Sequence, residues 1–221
     1  MRRKTEGRLQ AIVAAAVATF SRHGYAATQM ADIARAAGVS VGTLYLYAAS
    51  KEALFQAALR LAAGDLPALA PDPLPFESWD AVLADLSRYG ARLGQWPQLM
   101  RAMSAKRRAG RSQIAGIVSE LYDLIDSNRA LLKLVDVCAR DVPSLSALYE
   151  REIRSRYMAT LVRFVEMNTG RAPAEAAVAA HCAVELISWM AMHRHFGSRV
   201  VAADEAAIRQ GTVDAAAAIL A

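Results

Sequence analysis

The chain has 221 residues, 55% apolar and 21% charged, with 12 glycines and 7 prolines. That length buries a real core in one or two domains; alanine richness with few chain breakers favours helices, and no alternating Val/Ile/Thr run supports a sheet. The net charge of +5 sits at the start: residues 1–51 carry seven Lys/Arg against two acids, whereas the remaining 170 hold 19 of each sign, as expected of a nucleic-acid-reading module on a neutral body rather than a merely soluble tail.

Residues 5–22 form the first expected helix, with Ile12, Val13, Ala16, Val17 and Phe20 on one stripe. Arg2, Arg3 and Lys4 precede it as a flexible arm able to reach phosphate or a minor groove, or as a plain soluble tail. Thr28 is placed to N-cap a second helix whose inward face is Met30, Ile33, Ala34 and Ala37. Gly38 stops that helix, because only glycine enters the left-handed region without a steric cost. Val39 is an apolar peg in the corner. Ser40 then caps a short third helix carrying Val41, Gly42, Thr43, Tyr45, Leu46 and Tyr47, and Ser50 caps a fourth.

A helix, a glycine corner and a second short helix outline a helix-turn-helix. No carboxylate occurs from Ser40 to Ser50, which suits a surface meant for phosphate. Gly38-Val39-Ser40-Val41-Gly42 also matches G-x-S-x-G, but a nucleophile elbow needs a strand before the serine, so the match is a coincidence.

The wording is more specific than the outline. Phe20, Gly24 and Tyr25 (F-x-x-x-G-Y) lead to a Thr, then D-I-A at 32–34, A-G-V-S at 37–40, G-T-L-Y at 42–45 and S-K-E at 50–52. This order resembles the N-terminal domain of the TetR family of bacterial transcriptional repressors, over roughly residues 8 to 60. The sequence departs from the family at Ala48, where an aromatic is usual, and at Val41, often basic or polar. Ala48 implies a looser contact between recognition helix and body, and Val41 implies base reading by apolar contact with thymine methyls. The resemblance implies an all-α protein: a three-helix DNA-binding domain, residues 1–50, and a helical effector-binding and dimerisation domain, residues 51–221, about nine to ten helices in all. It implies a homodimer on palindromic double-stranded DNA, released by an unidentified small-molecule effector. Val41, Gly42, Tyr45 and Leu46 are expected to meet bases, with Thr28, Gln29, Ser40, Thr43, Tyr47 and Lys51 at the phosphates and the corner.

Further along, the fourth helix runs from Ser50 to about Ala63 with Leu54, Phe55, Ala58 and Leu59 inward. Lys51 in its first turn opposes the helix dipole, which makes sense if a phosphate docks there. Pro67, Pro71, Pro73 and Pro75 mark the clearest boundary. Helices are expected over 76–94, 98–108 and 112–140. Another is capped by Asp141 and opened by Pro143, ending near Gly170; then come Pro173 to about Phe196 and Asp204 to about Leu220. In the penultimate helix, Ala177, Ala180, Val184, Ile187 and Ala191 form a small-residue face read as a dimer seam. The apolar stretch 174–192 contains Glu175, His181 and Glu185, so it reads as a buried helix and not a membrane span. No signal peptide is expected and no membrane partner. The cytoplasm is the expected compartment, with Cys138 and Cys182 reduced and buried.

Candidate effector contacts come from the large adaptable side chains Trp96, Met100, Met103, Tyr122, Phe164 and Trp189, with His181 and Glu185 as polar groups, although His181 reads first as a hydrogen-bonded core histidine. His181 and Glu185, four apart, are too few for a closed metal site, so neither metal nor cofactor is expected. A helical enzyme built on that pair is the alternative to a regulator. Lys106, Arg107, Arg108 and Arg111 read as cations offsetting a helix C-terminal dipole in solvent.

Overall fold

The computed structural model describes residues 2–65, 73–105, 107–197 and 201–221. Its helices are α1 (Arg2–Ala27), α2 (Met30–Ala36), α3 (Val41–Tyr47), α4 (Lys51–Ala62), α5 (Trp79–Leu93), α6 (Pro97–Ser104), α7 (Arg111–Ser127), α8 (Arg129–Cys138), α9 (Pro143–Leu148), α10 (Ser155–Thr169), α11 (Pro173–Ala191) and α12 (Glu205–Leu220). A π turn, Tyr149–Arg154, joins α9 to α10, and a 3-10 turn, His193–Phe196, follows α11. No strand occurs among the described residues; the one β-type contact is a bridge between Ala48 and Leu74.

The expected punctuation governs most boundaries. Gly38 adopts φ 66°, and the Val39 N–H returns to the Ala34 carbonyl at 3.0 Å, closing α2 with a left-handed cap. Ser40, Ser50 and Asp204 cap α3, α4 and α12 through their side chains. Pro143 and Pro173 stand in the first turns of α9 and α11, and Gly170 ends α10 at φ 78°.

Four expectations need correction. The stretch 2–4 is helical backbone continuous with α1 and not an arm. Gln29, not Thr28, is the N-cap of α2. The helix expected over 112–140 is two, because Asn128 leaves helical geometry and its amide donates to the Leu124 carbonyl at 2.8 Å. Val142, not Asp141, is the N-cap of α9. The expected boundary lies partly outside the described residues, at Pro67 and Pro71; Pro73 and Pro75 flank the bridging Leu74.

The chain packs as two compact units, neither a single run. One comprises Met1–Tyr89 with Ala130–Tyr149, the other Gly90–Arg129 with Glu150–Ala221. In the first unit α1 packs on α4 and α2. Ile12, Val13, Ala16 and Phe20 of α1 and Leu54, Phe55 and Leu59 of α4 are buried in its core, worth roughly 1.5–3 kcal/mol for each large side chain removed from water. Around it Phe20, Tyr25, Phe55 and Trp79 form an aromatic cluster with edge-to-face pairs at 5.1–5.4 Å, the geometry the ring quadrupoles favour. Asp85, buried on α5, accepts from Arg60 of α4 and from Arg88, each at 2.7 Å. In the second unit α11 packs on α12, α10 and α7, and α6 on α7 and α10. Arg209 of α12 clamps Asp123 of α7 through two nitrogens at 2.6 and 2.7 Å.

Candidate nucleic-acid interface

The candidate recognition element is α3. Ser40 Oγ accepts from the Thr43 N–H at 3.0 Å, which caps the helix start, and lies 2.8 Å from Thr43 Oγ1. Leu44 is fully buried and anchors the helix. Its other apolar residues face water: Val41 is 39%, Tyr45 48% and Leu46 68% exposed. Seven large hydrophobic residues of the described chain are exposed, and three of them stand on this one short helix. Gly42 is exposed beside them and Tyr47 half-buried. Water-facing apolar side chains without a carboxylate suit a groove lined by thymine methyls.

Two expected phosphate contacts point elsewhere. Thr28 is 1% exposed, and its hydroxyl donates to the Gly24 carbonyl at 2.6 Å; its side chain is inside the domain. Lys51 Nζ donates to the carbonyls of Tyr25 at 2.9 Å and Thr28 at 3.1 Å, reaches that of Ala26 at 3.5 Å, and lies 4.4 Å from the Tyr25 ring centre. Its ammonium is committed to the orphan carbonyls at the end of α1, so the same charge that is unfavourable at the start of α4 is favourable at the end of another helix. Gln29 remains exposed, its N–H donating to Asp32 Oδ2 at 3.1 Å. Arg8, Arg22 and Arg35 are exposed cations of this module; Arg35 also pairs with Asp32. In the sequence they are only charge, since only folding separates a solvent-facing cation from one spent on a neighbour.

Beside Lys51, the Tyr25 hydroxyl donates to Glu52 Oε1 at 2.8 Å. Burial first, and then the Glu52 charge, push the Tyr25 hydroxyl above its usual range. Burial also opposes ionisation of Glu52, but hydrogen bonds from its own N–H, Tyr25 and Ser50 outweigh it and hold the carboxyl below its usual value.

The first unit also clasps the recognition module from behind. Asp141 Oδ2 accepts the Ala26 N–H at 2.9 Å, and the Cys138 thiol, pushed up to about 12 by burial, lies 3.7 Å from the Phe20 carbonyl. Gly24 breaks α1 there at φ 83° and ψ 174°. Ala48 is fully buried, and the Leu74 N–H donates to the Tyr47 carbonyl at 2.8 Å while the Ala49 N–H donates to the Leu74 carbonyl at 3.0 Å. The expected loose contact is therefore a close one: a methyl side chain admits a backbone where an aromatic ring would stand.

Residues 12–58 match the model of the TetR family of bacterial regulatory proteins, over its N-terminal domain. The N-terminal module, and not the rest of the chain, carries that family's pattern. It is 32% identical over 136 residues to the HTH-type transcriptional regulator RutR of Escherichia coli O157:H7, and equally to that of strain K12. The match covers 59% of this chain and spans 62% of that regulator's length. Among solved structures, the transcriptional regulator FadR from Bacillus subtilis in complex with stearoyl-CoA superposes with a TM-score of 0.46 at 17% identity, covering 96% of each chain. A TetR-family regulator from Mesorhizobium loti superposes at 0.44 and 19%, covering 96% of this chain and 94% of its own.

All eight expected effector contacts lie in the second unit. Trp96 is buried and donates through Nε1 to the Ile117 carbonyl at 3.0 Å; Tyr122 is buried, with the Arg209 guanidinium 5.9 Å from its ring centre. Met100 is exposed and Trp189 half-buried. His181 and Glu185 are exposed; His181 Nδ1 lies 2.8 Å from the Ala177 carbonyl, and Glu185 accepts from Arg154. That pair forms no enclosed site, and no cluster of three His, Cys, Asp or Glu residues that could hold a metal occurs among the described residues. Met103 and Phe164 line a common cleft.

The face expected to be a dimer seam is also corrected. Ala180, Val184, Ile187 and Ala191 are buried within the chain, in the helix that packs on α10, α12 and α7. Outward from α11 stand Val178, His181, Cys182 and Glu185, so Cys182 is not buried as expected. By length and composition α11 could cross a membrane; its packed face is that of a core helix.

Proposed function

We propose that this chain is a homodimeric, sequence-specific transcriptional regulator of the cytoplasm, acting as a repressor that a small-molecule effector releases from a palindromic operator. The observation that carries the reading is the acid-free outer face of α3, where Val41, Tyr45 and Leu46 stand exposed on a buried Leu44 anchor. In a dimer two such helices enter successive major grooves roughly 34–36 Å apart. Val41, Gly42, Tyr45 and Leu46 meet base edges, and Gln29, Thr43 and Tyr47 border the backbone.

The outer side of α11 supports the dimer. Only 39% of its most apolar 18-residue window is buried within the chain, and Val178 on it is 63% exposed; a second copy would cover that surface. An effector can release the operator only by binding more tightly to the state whose heads no longer match the half-site spacing. Selection of bound duplexes from a random pool tests the reading. Enrichment of a palindrome with half-sites one helical turn apart is expected, and enrichment of no motif would overturn it.

A further inference from the structure

The cleft that Met103 and Phe164 share lies between the end of α6 and the end of α10 and has a volume of about 300 Å³. We propose that it binds a small organic anion with an apolar body, a carboxylate on a hydrocarbon of roughly ten heavy atoms in all, judged from the ~30 Å³ each water occupies. Serving as the effector site rests on the effector-released reading above; the ligand class does not.

Its walls are Met103, Phe164 and Met167. Phe164 is buried, but Met167 is 51% exposed, an apolar, adaptable side chain left facing the opening. Arg107 and Arg108 form the rim, both exposed. No acid lines the cleft, and neither guanidinium forms an ion pair among the described residues. The rim is held in place: Asn168 Oδ1 accepts the Ala109 N–H at 2.6 Å, and its Nδ2 donates to the Ala109 carbonyl at 3.4 Å. Two adjacent cations on a fixed segment, with no counter-charge and an apolar floor, match a carboxylate with a hydrocarbon tail in both charge and shape. Offsetting the α6 dipole alone needs neither the floor nor the tether. The arginines also stand two or more residues beyond Ala105, where that helix has already ended in extended backbone.

The test is calorimetric titration of the full chain with sodium octanoate, octylammonium chloride and 1-octanol. Octanoate is expected to bind once per chain, with the amine and alcohol at least about tenfold weaker. The double variant Arg107→Ala/Arg108→Ala should weaken octanoate on the order of tenfold. So should Met167→Glu, which places a carboxylate in the cleft at an exposed position that folding tolerates. No octanoate binding at about 1 mM, equal binding of all three probes, or octanoate affinity unchanged in both variants would each overturn the assignment. Loss of duplex affinity in the arginine variant without any octanoate binding would give the arginines to DNA instead. Gel shifts on a selected operator separate the two readings. Octanoate bound in the cleft with the operator complex intact sinks effector release and keeps the anion site. Release by a ligand that ignores both variants keeps effector release and sinks this cleft as its site, while the octanoate titration still decides the anion site.

Discussion

Replacing Gly24 by alanine probes the joint on which the helix-turn-helix module is mounted. Gly24 holds φ 83° and ψ 174°, a region open essentially to glycine, where another residue costs about 1–3 kcal/mol. An added Cβ would fall 2.6 Å from Asp141 Oδ2. The carboxylate is the movable end of a side chain, so it swings away and gives up the 2.9 Å bond from the Ala26 N–H. That bond is solvent-exposed, so its loss is worth only about 1 kcal/mol. Gly24→Ala is therefore expected to cost about 2–4 kcal/mol, a large share of a total stability of roughly 5–15 kcal/mol. Asp141→Ala should cost about 1 kcal/mol. The double variant should cost about as much as Gly24→Ala alone, since the alanine already breaks the bond, leaving about 1 kcal/mol of non-additivity. Urea unfolding of the four proteins, followed by tryptophan fluorescence, measures the cycle. A Gly24→Ala cost below about 0.5 kcal/mol, or strict additivity, would refute the reasoning.

Lys51→Met should lower stability by about 1–2 kcal/mol, because part-buried carbonyls lose a charged donor. It should leave the salt dependence of DNA binding unchanged; a slope smaller by about 0.9 in a salt series would instead make Lys51 a phosphate contact. Leu46→Asp, at a site 68% exposed, should stay within about 0.5 kcal/mol of the parent in stability yet abolish operator binding in a gel shift; retained binding would remove α3 from the groove. Glu52 titrates below its ordinary value of 4.5, so its contribution is full above that pH and is lost as pH falls through the lowered folded value. Glu52→Gln should therefore be the less stable protein near neutral pH, with the difference closing in acid; a difference that persists in acid would show that the ionised carboxylate is not what Tyr25 and Ser50 stabilise.

What residue order settled was local. Gly38 as a left-handed stop, Ser40, Ser50 and Asp204 as side-chain caps, and the prolines opening α9 and α11 each act within a turn or two of themselves. The buried stripes of α1 and α4 follow from the same short-range periodicity, as does the acid-free run over α3. The destination of long side chains lay beyond that range. Lys51 looked like a phosphate ligand because its partners, the carbonyls of residues 25 to 28, are remote in sequence and are not side chains at all. Arg107 and Arg108 looked like solvent cations because Phe164 and Met167, which line the same cleft, arrive from another helix. Ala48 read as a gap until Leu74 filled it. On α11, sequence found a small-residue face but not which copy of the chain it meets, because alanines pack equally well against a neighbour within the fold or across a dimer. Period and punctuation are written along the chain; which donor meets which acceptor is decided only when the helices close.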